Sequence, residues 1–409
     1  MFYPVKPVKK LSLFLLTTHF TIRQTKRYLY LIKNMNYSFS LLLALSLVTQ
    51  SIAQNPVAKI DSGSIGGARY VILFPPNWKG KLVMYAHGYE FMGAKPRQSQ
   101  NPGFKNNMKP FLERGFAVAA SDYQYQGYSL PQGVDDTESL RQFFVKTYGK
   151  PDTTYMVGHS LGGGVTLATI ENFGANYYGG LPLCPLSSRP YLQCRKEFDM
   201  YATFNGLFPG VVPSLTTIFD LSKPYQAQPQ QAMVAQAMAI KKAILAKDSV
   251  LAVAFAKRFD LKLDDLPFSL FFNENVLRDL AQKAKGNPFD NTNTVYSGFP
   301  NNLAVNQKAE RLPATVDPNV VFGKYDRTGK INKPVVLMHT LYDQLIPPIY
   351  GVINFENMVH QQAKDQYFTV KYTNGQGHCN FTPQQTAQAF DSLRNWVKTG
   401  TKPTAGFIN

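Results

Sequence analysis

The sequence of 409 residues contains little cysteine, few acidic residues and no long hydrophobic run. Its three cysteines are Cys184, Cys194 and Cys379, and their spacing excludes a common cysteine metal cluster. No apolar stretch reaches the roughly 20 residues that a transmembrane helix needs. Internal repeats and long low-complexity tracts are also absent, so the body of the chain is expected to be an ordinary folded protein.

Acidic residues number only 26, against 43 lysines and arginines, and the formal net charge is +17. Residues 1–54 hold seven of the basic residues and no acid, which leaves +10 for the rest. A basic surface can attract anionic polymers, membrane surfaces or nucleic acid. However, the body has no basic run with interleaved aromatic residues and no likeness to a nucleic-acid-binding module. We therefore expect a solvated basic surface and no nucleic-acid partner.

The N-terminus has the pattern of an export signal. The short apolar stretch Leu41–Val48 leads into small residues that offer a cleavage site near Ala53 or Gln54. Met35 is an alternative start, although the residues directly after it lack the usual positive charge. A second apolar run, Leu11–Leu16, leaves a membrane anchor as an alternative. The sequence predicts a leader over 1–54, a secreted or periplasmic protein, and no integral membrane span in its mature form.

The sequence leaves two possible states for the three cysteines. Cys184 and Cys194 are ten residues apart and could close a small loop in an oxidising compartment. Alternatively, all three cysteines are reduced and buried.

Hydrophobic residues make up 44% of the chain and charged residues 17%, which is ample material for a core. From residue 68 onward, short apolar strands alternate with helical stretches, which predicts a mainly parallel sheet covered by helices. The predicted strands are Arg69–Phe74, Lys81–Ala86, Phe116–Ala120, Thr154–Val157, Gly179–Cys184, Pro334–His339 and Asp365–Thr373. The predicted helices of this part are Asp135–Tyr148, Leu161–Phe173 and Thr382–Val397, the last with a capping box.

The alternation stops between residues 186 and 329. This segment contains a helical pattern over Ala232–Leu245 and an aromatic cluster over Leu266–Phe272. We predict that 186–329 is an inserted cap or lid, and that 55–185 and 330–409 form the core. The apolar cap suggests an acyl chain or aromatic ring as the substrate, although packing on the core explains many of the same residues.

A candidate nucleophile is Ser160, in Gly158-His159-Ser160-Leu161-Gly162. A Gly-x-Ser-x-Gly pattern permits a sharp turn that lifts the serine hydroxyl clear of a sheet. The pattern is short and recurs by chance, but here it follows a predicted strand and precedes a predicted helix. Gly163 and Gly164 would let that helix pack close to the sheet.

The serine needs a base, and six histidines are available. His378 lies in a flexible loop between the last strand and the last helix, so it is the predicted base. His339 lies within a strand, so we expect a core histidine whose ring nitrogens are hydrogen-bonded. His87 is expected to stabilise its loop. Asp343 follows the penultimate strand and precedes His378, which makes it the predicted acid that orients the imidazole. The N–H groups of Leu161 and Tyr89 are the predicted oxyanion donors.

The motifs His87-Gly88, Gly158–Gly162, Tyr342-Asp343 and Gly377-His378 resemble those of the α/β-hydrolase superfamily, in the order that superfamily uses. The resemblance covers roughly 68–185 and 330–400, and flanking stretches are similar to exported bacterial esterase- and lipase-like serine hydrolases. It implies an α/β-hydrolase fold, mainly a parallel sheet flanked by helices, with an inserted and mostly helical cap. The acid-then-base chain order also fits a serine hydrolase that uses neither metal nor cofactor.

The leading functional hypothesis is a secreted hydrolase of small or polymeric carboxylic esters. A peptidase of the prolyl-oligopeptidase type uses the same triad order, but only some 15 residues separate the predicted leader from the first predicted strand, where that group carries a propeller. A third hypothesis is a non-catalytic binding protein of the same fold, which would not need all of Ser160, Asp343 and His378. The sequence leaves acyl preference and oligomeric state open.

Overall fold

The computed structural model describes residues 56–222 and 230–408. The predicted leader over 1–54, the alternative start at Met35 and the cleavage site all lie outside these residues. Within the described part of the chain, no helix combines the length and hydrophobicity needed to cross a membrane.

Within residues 56–222 and 230–408, nine strands form a single sheet in the order β1-β2-β4-β3-β5-β6-β7-β8-β9. β2 pairs with β1 and β4 in antiparallel fashion, and every other neighbouring pair is parallel. The strands are β1 (Lys59–Ile65), β2 (Ala68–Phe74), β3 (Lys81–Ala86), β4 (Ala117–Ser121), β5 (Thr153–His159), β6 (Gly179–Leu183), β7 (Val335–Tyr342), β8 (Phe368–Gln376) and β9 (Gly406–Phe407).

The central strands are buried on both faces, as parallel strands covered by helices must be. In β3, Met84 belongs to one hydrophobic cluster, whereas its neighbours Val83 and Tyr85 belong to a second cluster. In β2, Ile72 and Leu73 divide in the same way. Because side chains alternate along a strand, the two clusters are the cores on opposite faces of the sheet.

Helices cover these faces and fill the long connection between β6 and β7. They are α1 (Phe104–Asn107), α2 (Lys109–Leu112), α3 (Leu130–Tyr148), α4 (Leu161–Phe173), α5 (Pro190–Leu207), α6 (Leu215–Ile218), α7 (Gln230–Arg258), α8 (Leu266–Ala284), α9 (Asn302–Lys308), α10 (Asn319–Phe322), α11 (Asn354–Gln361) and α12 (Pro383–Thr399). The capping box of α12 is confirmed: the Thr382 hydroxyl accepts from the Gln385 N–H, and the Gln385 side chain accepts from the Thr382 N–H.

Some element boundaries differ from the sequence prediction. β1 was not predicted, because its side chains are mostly exposed and show no apolar alternation. α3 begins at Leu130 rather than Asp135, since Pro131 occupies a first-turn position that tolerates a missing N–H. Asp365–Tyr367 forms a 3₁₀ turn, so β8 begins only at Phe368.

The connection between β6 and β7 contains helices α5 to α10. That 186–329 is a separate cap or lid on the core stays a prediction. Helix α7 is interrupted at Asp248, whose ψ of 97° is not helical. Helix α8 is bound to the loop before α3, because the buried Asp279 carboxylate accepts from the Tyr125 hydroxyl at 2.7 Å and from the Tyr128 N–H. Lys283 donates to the Tyr128 carbonyl oxygen at 2.6 Å. Whether this segment moves as a lid stays a prediction.

The parallel strands direct the candidate residues to one edge of the sheet. Ser160 follows β5, Asp343 follows β7, and His378 follows β8. His87 directly follows β3, the neighbour of β5. Because these strands are parallel, their carboxyl ends meet at the same edge, where ligands of open α/β sheets bind.

Candidate active site

Ser160 occupies a strained turn between β5 and α4. Its φ of 57° and ψ of −121° are rarely adopted by a residue with a side chain. The turn is held by backbone hydrogen bonds: the Ser160 N–H donates to the Leu183 carbonyl oxygen at 2.9 Å, and its own carbonyl accepts from the Leu186 N–H at 3.0 Å. The conformation places the Ser160 side chain beside the loops that follow β7 and β8.

Two glycines make this turn possible because the backbone packs too closely for a Cβ. A Cβ on Gly158 would lie 2.2 Å from the Gly162 carbonyl oxygen. A Cβ on Gly162 would lie 2.1 Å from the Ala86 carbonyl oxygen. The first and last glycines of the motif are therefore required by close approach between α4, β5 and β3.

The structure brings Ser160, His378 and Asp343 into one hydrogen-bonded series. His378 Nε2 lies 2.8 Å from Ser160 Oγ, and His378 Nδ1 lies 2.7 Å from Asp343 Oδ2. Asp343 is 1% exposed. Its Oδ1 accepts from the N–H groups of Leu345 at 2.9 Å and Ile346 at 2.8 Å, so the carboxylate is held in place from both oxygens.

The electrostatics keep the Asp343 carboxylate ionised. Burial alone raises the pKa of Asp343, but attraction and hydrogen bonding from His378, with smaller contributions from His339 and the Ile346 N–H, bring it below its ordinary value. An ionised carboxylate beside Nδ1 fixes the imidazole tautomer with its proton on Nδ1. Nε2 is then left as an acceptor for the Ser160 hydroxyl.

The predicted oxyanion donors lie around the nucleophile. Leu161 is the first residue of α4, where N–H groups are outside the helical ladder. The backbone before Tyr89 also approaches Ser160, since a Cβ on Gly88 would lie 3.3 Å from Ser160 Cβ. Leu161 and Tyr89 both line the cavity that contains Ser160. That their N–H groups bind an oxyanion stays a prediction.

Two other histidines at this edge, His87 and His159, contact neighbouring backbone and side-chain groups of the protein. His87 is buried, donates from Nδ1 to the Gly88 carbonyl oxygen at 2.7 Å and stacks on Tyr123 at 3.9 Å. His159 Nδ1 accepts from the Tyr85 hydroxyl at 3.1 Å. Burial, with repulsion from His378, lowers the pKa of His159 to about 4, so its imidazole is neutral at neutral pH.

His339 differs from its predicted role as a satisfied core histidine. It is fully buried in β7, and Nδ1 donates to the Thr340 carbonyl oxygen at 2.8 Å. However, Nε2 finds no hydrogen-bond partner in 56–222 or 230–408 and faces Asp343 Oδ2 at 3.9 Å. The chain turns back after β7 and brings Asp343 over the imidazole, a contact that strand periodicity does not reveal.

The structure shows neither of the two cysteine states that the sequence left possible. Cys184, directly after β6, forms a disulfide with Cys379 over a sequence separation of 195 residues. Cys194 is free and buried within α5. The small Cys184–Cys194 loop does not form, because Cys184 is bonded to Cys379 and Cys194 lies within α5. Cys379 follows His378 in sequence, and its sulfur lies 3.5 Å from His378 Nε2.

A cavity of about 420 Å³, its open mouth included, contains Ser160 and His378. Its apolar walls come from both the core and the insertion, namely Leu161, Leu186, Phe272, Val276, Leu345 and Ile346.

Three polar side chains that the sequence prediction missed also line this cavity: Tyr128, Gln193 and Glu197. Gln193 and Glu197 lie four residues apart on α5, and the Gln193 amide donates to the Glu197 carboxylate at 3.3 Å. The i, i+4 spacing could have indicated from the sequence that these two side chains are neighbours on a helix. It does not indicate which face of the helix meets the cavity.

Comparisons with known proteins returned structural matches only. No protein-family model matches the sequence, and no curated protein matches it. An esterase from Pyrococcus furiosus matches at 13% identity and a TM-score of 0.42, over 83% of this chain and 91% of that one. Est1E from Butyrivibrio proteoclasticus matches at 15% identity and a TM-score of 0.41, over 83% and 98%. An acylaminoacyl peptidase from Pyrococcus horikoshii matches at 9% identity and a TM-score of 0.41, over 86% and 42%.

The fold follows from the sheet itself. A mainly parallel nine-stranded sheet has helices on its faces, a helical insertion after β6, and a serine on a strained turn between β5 and α4. This is the architecture that the motif order predicts. The chain has an α/β-hydrolase fold.

Proposed function

We propose that this protein is a serine hydrolase that cleaves carboxylic esters through a covalent acyl-enzyme. The observation that carries the proposal is the continuous series from Ser160 Oγ through His378 to Asp343, with distances of 2.8 and 2.7 Å. A serine hydroxyl becomes an effective nucleophile only when a positioned base accepts its proton. The same geometry is the defining arrangement of Ser-His-Asp catalysis on unrelated folds.

In the first half-reaction, Ser160 Oγ attacks the ester carbonyl carbon while its proton passes to His378 Nε2. Asp343 holds Nδ1–H and stabilises the resulting imidazolium. The carbonyl oxygen becomes an oxyanion, and the Leu161 and Tyr89 N–H groups donate to it. When the tetrahedral intermediate collapses, the bond to the alcohol oxygen breaks and His378 Nε2 donates its proton to the leaving alcohol.

In the second half-reaction, water replaces the alcohol. His378 Nε2 accepts a proton from the water as its oxygen attacks the acyl carbon. The new oxyanion collapses, Ser160 Oγ leaves and takes the proton back, and the carboxylic acid is released. Every proton transfer of this route uses His378.

Export is a second part of the proposal, supported by the Cys184–Cys379 disulfide. Disulfides form and persist in oxidising compartments such as the periplasm and the extracellular medium. This fits the signal-like pattern of residues 1–54, and fractionating cells that express the full chain tests it.

Hydrolysis of p-nitrophenyl esters of graded acyl length tests the esterase proposal. Ser160→Ala should lose at least about 10³-fold in kcat, because the nucleophile is removed. Ser139→Ala, a matched change at an exposed serine of α3, should retain activity. Ester hydrolysis that is equal in the wild type and Ser160→Ala contradicts the proposal.

A peptide substrate separates the peptidase alternative. An aminoacyl-proline p-nitroanilide should be cleaved far more slowly than the esters. If it is the better substrate and its cleavage requires Ser160, the reaction is peptidase chemistry on the same triad.

A further inference from the structure

Three buried polar atoms on side chains that line the cavity lack hydrogen-bond partners among the described residues. They are the Tyr128 hydroxyl, Gln193 Oε1 and Glu197 Oε2. The three residues are only 2%, 1% and 4% exposed, respectively. Their cavity is the one that contains Ser160 and His378.

Unsatisfied atoms of this kind call for a physical explanation. A buried polar group without a partner costs about 1–3 kcal/mol, and native structures contain few of them. Three on residues that line one cavity point to a ligand that supplies the missing hydrogen bonds. A site built in this way also rejects ligands that lack the matching polar group, because the wall atoms then stay unsatisfied.

The hydrogen bonds already made define what the ligand must offer. The Gln193 amide nitrogen donates to Glu197 Oε1 at 3.3 Å and to the Leu345 carbonyl oxygen at 3.2 Å. This fixes the orientation of the amide and leaves Gln193 Oε1 as an acceptor. The Tyr128 hydroxyl has a proton to donate. The wall therefore offers at least one acceptor and one donor.

A hydroxyl group matches this set, since it donates one proton and accepts another. An ammonium group has only donors, so it would leave the Tyr128 proton unused. Burial raises the pKa of Glu197, although Lys196 and Gln193 oppose the effect. Burial likewise raises the pKa of the Tyr128 phenol, so this residue is neutral. The Tyr128 hydroxyl therefore keeps the proton that it donates.

We infer that Tyr128, Gln193 and Glu197 form a subsite for a hydroxyl group of the substrate ester, whose carbon skeleton lies against the apolar walls beside Ser160. This inference rests on the proposed ester hydrolysis and specifies its substrate class as hydroxylated esters. It adds a polar requirement that the apolar cavity walls alone would not impose.

Binding to an inactive variant tests the subsite directly. Ser160→Ala is titrated by calorimetry with ethyl esters of straight-chain acids of four to eight carbons, each with and without a terminal hydroxyl. A phenylpropanoate ester is compared with its 4-hydroxyphenyl partner. We expect the best-matched hydroxylated ester to bind about tenfold more tightly than its partner, the value of one well-placed hydrogen bond.

Second-site changes attribute this preference to the wall. Tyr128→Phe or Gln193→Met, added to Ser160→Ala, should reduce the tenfold preference to twofold or less. Tyr178→Phe, the same chemical change at a tyrosine that is 46% exposed, should leave the preference intact. A preference that survives both cavity substitutions contradicts the subsite.

Other outcomes separate the subsite from the reaction. Equal binding of every hydroxylated and unsubstituted pair overturns the subsite, while Ser160-dependent hydrolysis of the same esters would leave the proposed function standing. Tighter binding of a terminal-amino ester than of its hydroxyl counterpart also overturns it. Selective binding to Ser160→Ala, together with no hydrolysis by the wild type, would support the subsite and refute the esterase.

Discussion

Cys379 is bonded to Cys184, so the residue after His378 is covalently attached to the end of β6. β6 is the neighbour of β5 in the sheet, and β5 leads into Ser160. The loop that carries the histidine is therefore fastened one strand away from the nucleophile. The distance of 2.8 Å between His378 Nε2 and Ser160 Oγ depends on this loop, which makes the disulfide part of the geometry of the site.

Removal of the disulfide should lower both stability and activity. Cys184→Ala/Cys379→Ala should lose about 2–5 kcal/mol of unfolding free energy, because a long loop of the unfolded chain is no longer closed. The kcat for ester hydrolysis should also fall, since the His378 loop gains freedom. Urea unfolding and initial rates measure the two effects. Dithiothreitol should inactivate the wild type but leave the double variant unchanged, and an equal response of both proteins would contradict this role.

Thiol counting checks the cysteine assignment itself. Burial raises the pKa of the Cys194 thiol, so the folded protein should not react with Ellman's reagent. Unfolding without reductant should expose one thiol, and unfolding with prior reduction should expose three. Peptide mapping should then find Cys184 linked to Cys379. Three thiols in the unreduced, unfolded protein would rule out the disulfide.

Replacement of Asp343 should separate orientation from nucleophilicity. Asp343→Asn preserves shape but favours the wrong imidazole tautomer, so kcat should fall about 10³- to 10⁴-fold. Asp317→Asn, at an exposed loop aspartate, is the matched control and should retain full activity. A loss of less than tenfold in Asp343→Asn would remove Asp343 from the proposed mechanism.

Acid stability should depend on His159. The pKa of His159 is about 4 in the folded protein and 6.5 for an unperturbed histidine. Between these values the unfolded state binds more protons, so stability falls as pH decreases from 6.5 to 4, by roughly 1–3 kcal/mol. His159→Gln should lose less stability over this interval, as measured by urea unfolding at pH 7.5 and 4.5. An unchanged pH dependence would contradict this assignment.

Glycine replacement tests the close packing beneath Ser160. Gly162→Ala places a Cβ against the Ala86 carbonyl oxygen, so it should cost about 3 kcal/mol or more, or prevent folding. Gly103→Ala is the control, because Gly103 has a φ of −72° and its nearest neighbour is 3.3 Å away, at a side-chain atom. It should change stability by less than about 1 kcal/mol. Thermal unfolding of both variants makes the comparison, and equal shifts would contradict the packing argument.

The sequence was sufficient for the features that depend on local pattern. The span Leu161–Phe173 was predicted without error, because a serine motif and a following small-residue run define both ends of the helix. The positions of Asp343 and His378 followed from strand order, since parallel strands direct their ends to one edge. Burial on both faces of β3 also agrees with its continuous apolar run.

Other features depend on contacts that are distant in sequence. The Cys184–Cys379 pairing joins the ends of two strands that are 195 residues apart, and cysteine spacing carries no information about it. The polar atoms of Gln193 and Glu197 that lack hydrogen-bond partners could not be predicted, because their role depends on the face of α5 that meets the cavity. The weak amphipathicity of that helix does not reveal this face. β1 was missed because an exposed antiparallel edge strand lacks an apolar alternation.

A trapped acyl-enzyme on Ser160 is the sharpest test of covalent catalysis by this residue. The protein is mixed with a p-nitrophenyl ester, quenched in acid during turnover, digested and mapped by mass spectrometry. We expect one acyl adduct, on the peptide that contains Ser160, and none in Ser160→Ala. An adduct on another residue, or continued hydrolysis by Ser160→Ala, would contradict it.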